Sequence, residues 1–560
     1  MSRVPNDPNS HESKLHESTQ RRGGISRRDL FKGTAGAALA VAGAAVAGAA
    51  SARAQVTGLM PGGGKVPFHL PLGALDYIDH NQYSHNMEIH SFLPGPRISG
   101  GEPLMVMWAK GAQRLLPAGA GWVDISDPRT PDFLSTGAAR VGGCVAYNTS
   151  LRKWIMVSAA GQPLTAATPE HPHGQYHEDL RNKILGYTGL RGIRTWDITD
   201  PATPVLLQEF STGTTGSGTH HNFYDGGRYA YLDAGWTDQL RMENAQRPTG
   251  NALMIVDMTD PANVKEVSRW WIPGQMRGEE EEYRTFLFAG DESSWTASHG
   301  APSVPRRVED GGTVGYGGFG HFGMYVFDFS DITKPKAFGS VRWDFETMGG
   351  IPYHTCYPVI SDNNPRLQGL VIGVPETIEP DCREPFKPAQ VIDVRDPRNP
   401  RIIGLFPRPK APNDAPYTDF CFARGRFGTH NIQPWLAPGT SRPEIVVMTY
   451  FNAGIRVFDI SDPTQPREVA WFVPPRESTI DNYGEWFREG AESVFVEWDR
   501  NLIWLGSHNG TYCLSTPALG KPVLKPRKIE KWTVAHGNVG WDAQTSASVH
   551  FGRSLSQVRL

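Results

Sequence analysis

The sequence predicts an all-β fold, a β-propeller of about seven blades that follows a cleaved signal peptide. Three observations lead there. A short strand phrase ending in Asp recurs along the chain. Turn formers are abundant, with Gly 61 and Pro 45 in 560 residues. Long amphipathic helical patterns are hard to find after the first 55 residues, while Trp 16, Tyr 17 and Phe 25 supply bulky residues that pack between sheets.

The phrase reads Gly121-Trp-Val-Asp-Ile-Ser-Asp127-Pro128 and returns as Gly192-Ile-Arg-Thr-Trp-Asp-Ile-Thr-Asp200-Pro201. Further copies are Leu253-Met-Ile-Val-Asp-Met-Thr-Asp260-Pro261, Gly323-Met-Tyr-Val-Phe-Asp-Phe-Ser-Asp331, Val391-Ile-Asp-Val-Arg-Asp396-Pro397 and Gly454-Ile-Arg-Val-Phe-Asp-Ile-Ser-Asp462-Pro463. The first Asp of each copy falls at 124, 197, 257, 328, 393 and 459, so the spacings are 73, 60, 71, 65 and 66. Alternating apolar residues make a buried strand. The Asp side chain bonds the backbone beyond it, and Pro ends the ladder. Each unit has room for four strands, one blade, with longer loops than the ~40–45 residues of a WD-type blade. A seventh, worn unit starts at Glu492 and continues through Leu502–Gly506 and Gly510–Ser515, with Ser515-Thr-Pro517 replacing the Asp-Pro turn. Closing the ring leaves no long unpaired edge. The phrase resembles the LVIVD repeat family of bacterial propellers. That resemblance spans most of residues 80–525 and implies the fold, with no function attached.

Before the repeats, Ser26-Arg27-Arg28-Asp29-Leu30-Phe31-Lys32 resembles a twin-arginine motif. A weakly apolar stretch, Thr34 to Ala50, follows, and Ala52-Arg53-Ala54 forms a small-x-small cleavage box. The expected organisation is a Tat signal peptide over 1–54, an extension over 55–79, the propeller over 80–525 and a closing segment over 526–560. Export by the Tat translocase implies a periplasmic or secreted protein, and no later apolar run is long enough to span a membrane. Residues 1–54 hold eight Lys/Arg and four Asp/Glu, so the mature chain would carry −3 − 4 = −7. That balance speaks against nucleic acid as a partner. Of five cysteines, none forms a CxxC pair; Cys382 and Cys421, both in Pro-rich loop sequence, are the expected disulfide.

The chemistry sits in a register. At the start of successive first strands stand His221, His299, His354 and His430, with Glu492 in the last unit, Cys144 in an early one, and His85 (or its rival His90) in the first. First strands line the channel of a propeller, so one register forms a ring about the axis. Imidazole, carboxylate and thiolate are metal-binding groups. His221, His299, His354 and His430 are the expected metal ligands. Glu492 and His85 are the expected catalytic groups, Glu492 orienting a ligand or acting as base. His220 competes with His221 for that position, because adjacent strand residues point to opposite faces and only one of the two can face the channel. Neutral imidazoles suit copper, iron, zinc or nickel. Analogy of architecture with carotenoid cleavage oxygenases and selenium-binding proteins, whose motifs are absent here, favours copper or iron. The expected function is a metal-dependent oxidoreductase acting on a small molecule. Trp295, Phe319, His321, Tyr353, Tyr357 and Trp486 are expected as walls suiting an aromatic or apolar substrate. The competing expectation is a non-catalytic propeller binding a protein, peptide or glycan. Serine-hydrolase elbows, phosphate-binding Gly-Lys loops and His-Glu-x-x-His are all absent.

Overall fold

A computed structural model describes residues 79–99, 107–137, 141–161, 187–237, 251–282, 297–342, 351–359, 364–377, 382, 385–423, 425–433, 436–476, 490–534 and 537–540. The signal sequence read at 1–54, together with Trp295 and Trp486, lies outside them. Among the described residues no helix is long and apolar enough to cross a membrane.

The described strands form a seven-bladed ring of antiparallel sheets. In each of the first six blades the recurring phrase is the third strand: Gly121–Asp124, Gly192–Asp197, Ala252–Asp257, Met324–Asp328, Gln390–Asp393 and Ile455–Asp459. The local chemistry is the one the sequence implies. In all six copies the first Asp accepts the backbone N–H two residues on, at 2.8–3.0 Å. The second Asp repeats the bond at 3.0–3.1 Å. Both are Asx turns, which swing the chain from the third strand to the fourth.

The glycine that opens the phrase has a steric role. A Cβ at Gly192 would strike the Phe210 carbonyl oxygen of the neighbouring outer strand, and one at Gly454 would strike that of Phe472. The outer strand can approach only because no side chain is there. Gly510 of the worn seventh unit keeps this arrangement against the Leu93 carbonyl.

The ring closes through the N-terminus. Glu88–Pro94 forms the outer strand of blade 7, pairing antiparallel with Gly510–Ser515. Tyr83–His85 adds an outermost strand to blade 6, pairing with Arg467–Val473. This corrects the sequence reading of His85 and His90 as residues of a first strand. Both lie on outer strands. His85 is exposed and stacks on Trp471, with ring centroids 6.0 Å apart, and His90 bonds Ser515 Oγ at 2.7 Å. At the other terminus, Lys531–Val534 and Gly537–Gly540 form a hairpin that pairs with Ala437–Pro438.

Cys382 and Cys421 form a disulfide across a separation of 39 residues, while Cys144, Cys356 and Cys513 are buried thiols. The bond ties the connection between the second and third strands of blade 5 to the segment that leads into blade 6, enclosing the third and fourth strands of blade 5. Chain-entropy reasoning for a loop of that length gives about 4 kcal/mol. Replacing both cysteines by Ser is expected to cost that much in urea unfolding. A loss below about 1 kcal/mol would mean that the loop contributes nothing to the folded ring.

Candidate metal centre

Four successive blades bring five imidazoles together. His220 and His221 come from blade 3, His299 from blade 4, His354 from blade 5 and His430 from blade 6. Adjacent ring centroids lie at 3.8 Å (His220–His221), 4.6 Å (His220–His299), 4.5 Å (His299–His354) and 5.3 Å (His354–His430). All four histidines chosen from the register therefore belong to one cluster.

β-Bulges aim them. In blade 3, Thr219 pairs with Ala234 and Phe223 with Tyr231, so four residue steps (219 to 223) face three (234 to 231). The extra residue breaks the strict alternation, and both His220 and His221 turn into the cluster. That corrects the expectation that only one of them can. In blade 5, Ile351 pairs with Glu376 and Thr355 with Val374, so four steps face two, and His354 sits in the excess. Bulges of this kind re-aim side chains beside functional sites.

Glu376, which ends the second strand of blade 5, completes the cluster. Its Oε2 lies 3.4 Å from His354 Nε2 and 3.7 Å from His299 Nε2, and its Oε1 lies 3.6 Å from His430 Nε2. Arg426 Nη1 holds Oε1 at 2.8 Å. A tetrahedral ion with bonds of about 2.0–2.1 Å spaces its donors about 3.3–3.4 Å apart. The donors thus stand close to metal-ligand spacing, and the set of imidazoles with one carboxylate fits copper, iron or zinc. His354 and Glu376 are buried and the other histidines are half-buried.

Second partners fix the rings. Thr355 Oγ1 bonds His354 Nδ1 at 2.8 Å, and the Glu492 carbonyl accepts from His430 Nδ1 at 3.2 Å. Each of these bonds leaves Nε2 toward Glu376, which is how protein ligands are oriented. Phe451, fully buried at φ +44°, lies between the His430 ring (4.7 Å, stacked) and the Arg426 guanidinium (3.7 Å). A left-handed backbone is rare for a bulky residue, and such strain collects at functional sites. Burial holds the His299 imidazole well below its ordinary value, with His354, His220, His221 and His430 adding to the effect. It is therefore neutral near pH 7, as a ligand must be. Beneath the cluster, burial pushes Asp233 up to about 7, against the hydrogen bonds it accepts from Ser298 and Asn251.

The LVIVD repeat model matches residues 449–472, from the last residue of the second strand of blade 6 through its third strand and most of its fourth. The chain carries an LVIVD repeat. No curated protein sequence matches it. Among solved structures, U3-55K is similar at 8% identity and a TM-score of 0.38, over 77% of this chain and 98% of that one. Sqt1 of Saccharomyces cerevisiae gives 8% and 0.40, over 79% and 88%. The Cps50 (Swd1) propeller domain of Myceliophteria thermophila gives 11% and 0.39, over 76% and 99%. Likeness at this level says nothing of function.

The remaining candidates fall elsewhere in the propeller. Glu492 contributes its carbonyl; its carboxylate is ion-paired with Arg97 Nη1 at 2.6 Å. Cys144 begins the first strand of blade 2, as expected. However, its Sγ donates to the Asn222 carbonyl at 2.6 Å, and burial pushes the thiol up to about 12, so it stays protonated. Phe319 and Tyr353 are core residues, and Tyr357 lines a small cavity with Ile372, Ile432 and Trp498, away from the histidine cluster. Phe319 packs on Trp270 and Tyr325, and the Tyr353 hydroxyl donates to Gln390.

Near Glu492, His508 is held at about 4 by burial and by Arg476 and Arg97. Its folded value lies below the ordinary value of about 6.5. The stability it contributes is present above about pH 6.5 and is lost as pH falls through about 4. A His508→Gln variant is expected to show a flatter fall in urea midpoint between pH 6.5 and 4. Parallel curves for the two proteins would rule the residue out as a source of acid sensitivity.

Proposed function

We propose that this propeller is a metal-dependent enzyme of the periplasm, an oxidoreductase acting on a small molecule, with a His-ligated copper or iron ion at the channel mouth. The observation that carries the reading is Glu376 within 3.4–3.7 Å of imidazole nitrogens from three blades. Buried carboxylates and imidazoles are costly to gather without a charge to face. In blades 3 and 5 the backbone leaves its regular ladder to gather them. The twin-arginine motif supports the location, since that route carries folded proteins already loaded with cofactor.

The chain's own parts divide the work. His299, His354 and Glu376 hold the ion, with His430 beside them. Arg426 keeps Glu376 in place, the Glu492 carbonyl fixes the His430 tautomer, and Thr355 orients the His354 ring. Phe451 closes one side of the cluster and keeps water from the Arg426–Glu376 pair. When bound, the metal supplies a site for dioxygen or a substrate oxygen and a route for electrons.

Elemental analysis of the exported protein tests the reading. At least one equivalent of copper or iron, lost in His354→Ala with the fold kept, is expected. An ion-free protein after reconstitution with copper, iron and zinc would overturn it and leave a binding propeller.

A further inference from the structure

The cluster holds more donors than one ion uses. Six side chains meet there, and the ligand atoms of five of them, all but His430, fall into two triads that share His299, each with its atoms within 4.8 Å of one another. One is His220, His221 and His299, and the other is His299, His354 and Glu376. A tetrahedral ion takes four ligands, and a catalytic one keeps a position open. The triads differ in character. The inner one includes a carboxylate and two buried residues, whereas the outer one is wholly imidazole and half-buried. His299 stands between them, with its ring 4.6 Å from that of His220 and 4.5 Å from that of His354.

The backbone gives a second, independent reason. Blades 4, 5 and 6 each supply one imidazole, which with Glu376 already serve one ion. Blade 3 supplies two, and does so only through the extra residue between Thr219 and Phe223. A single-ion site has no use for that residue: a regular strand would still present one histidine. The bulge adds the second donor, so that His220 and His221 stand 3.8 Å apart, ring to ring, beside His299.

We infer that the channel mouth is built for two transition-metal ions side by side, an outer one on His220 and His221 and an inner one on His354 and Glu376, with His299 bridging them as an imidazolate whose N–H proton is released to solvent on binding. This rests on the metal reading above and extends it. The outer site, all nitrogen, favours copper or zinc, and the inner one, with its carboxylate, also accepts iron.

The full exported chain, stripped with chelator and reconstituted separately with Co(II) and with Cu(II), tests this. Two equivalents of Co(II) by elemental analysis are expected. His220→Gln and His354→Gln should each retain one, with unchanged far-UV circular dichroism. The Cu(II) form should show the half-field paramagnetic resonance signal of two neighbouring coupled ions, and His220→Gln should abolish it. A single equivalent that persists in His220→Gln would overturn the second ion while the metal centre stands. No bound metal at all would overturn both.

Discussion

Glu497→Ala is expected to destabilise the protein by about 3–5 kcal/mol, the range for removing one partner from a buried ion pair. Glu497, in the first strand of blade 7, is fully buried. Its Oε1 accepts from Arg114 Nη1 of blade 1, and its Oε2 accepts from Arg500 Nη2 at 2.6 Å and Trp504 Nε1 at 2.8 Å. Arg114 also bonds Asp499 through two oxygens, at 3.0 and 2.7 Å. Arg500 reaches back to the Ile125 and Ser126 carbonyls of blade 1 at 2.7 and 2.9 Å. Both guanidiniums are fully buried, so removing Glu497 strands two cations with no carboxylate but Asp499. The two guanidiniums hold the Glu497 carboxyl below its ordinary value, so it is ionised at neutral pH. Blade 7 lacks the Asp-Pro turn of its neighbours, and this network joins it to blade 1. Urea unfolding reads the loss. A cost under about 1 kcal/mol would mean that the seam is held by strand pairing alone.

Glu376→Ala is expected to damage the centre and the fold together. Arg426, nearly fully buried, would keep its charge and lose its carboxylate, at about 3–5 kcal/mol. The ion would lose its one anionic donor. Glu376→Gln separates the two effects, because it keeps the shape and an oxygen facing Arg426. Its fold should survive with a smaller loss, while metal affinity falls. Outer partners of metal ligands cost about 10–100-fold when removed, and a direct ligand should cost no less. Competition with a chelator measures this. Wild-type affinity in Glu376→Gln would remove the carboxylate from the ligand set.

The repeat was legible because its signals are local. An Asx turn needs only an Asp and the two residues after it, so six copies share one local pattern that marks the strand before each turn. Ring closure was not legible. Glu88–Pro94 pairs with residues more than 400 positions away in the chain, and nothing near His85 says that its strand is an outer one. The histidine register found His221, His299, His354 and His430 because first strands start alike. It could not find Glu376, which ends a second strand, nor Arg426 and Phe451, which lie off that register. That only one of His220 and His221 can face the channel is a rule for regular strands, and the bulge that breaks the rule is a matter of pairing counts across the sheet. Aromatic residues near the register suggested pocket walls. Phe319 and Tyr353 point instead into the blades, where burying a large ring contributes most.

Anomalous diffraction at the metal edge, from crystals of the exported protein, tests the central claim most directly. The account predicts a peak within about 2.0–2.3 Å of His354 Nε2 and a Glu376 carboxylate oxygen. A metal-containing crystal whose only anomalous peaks lie away from the histidine arc would contradict it.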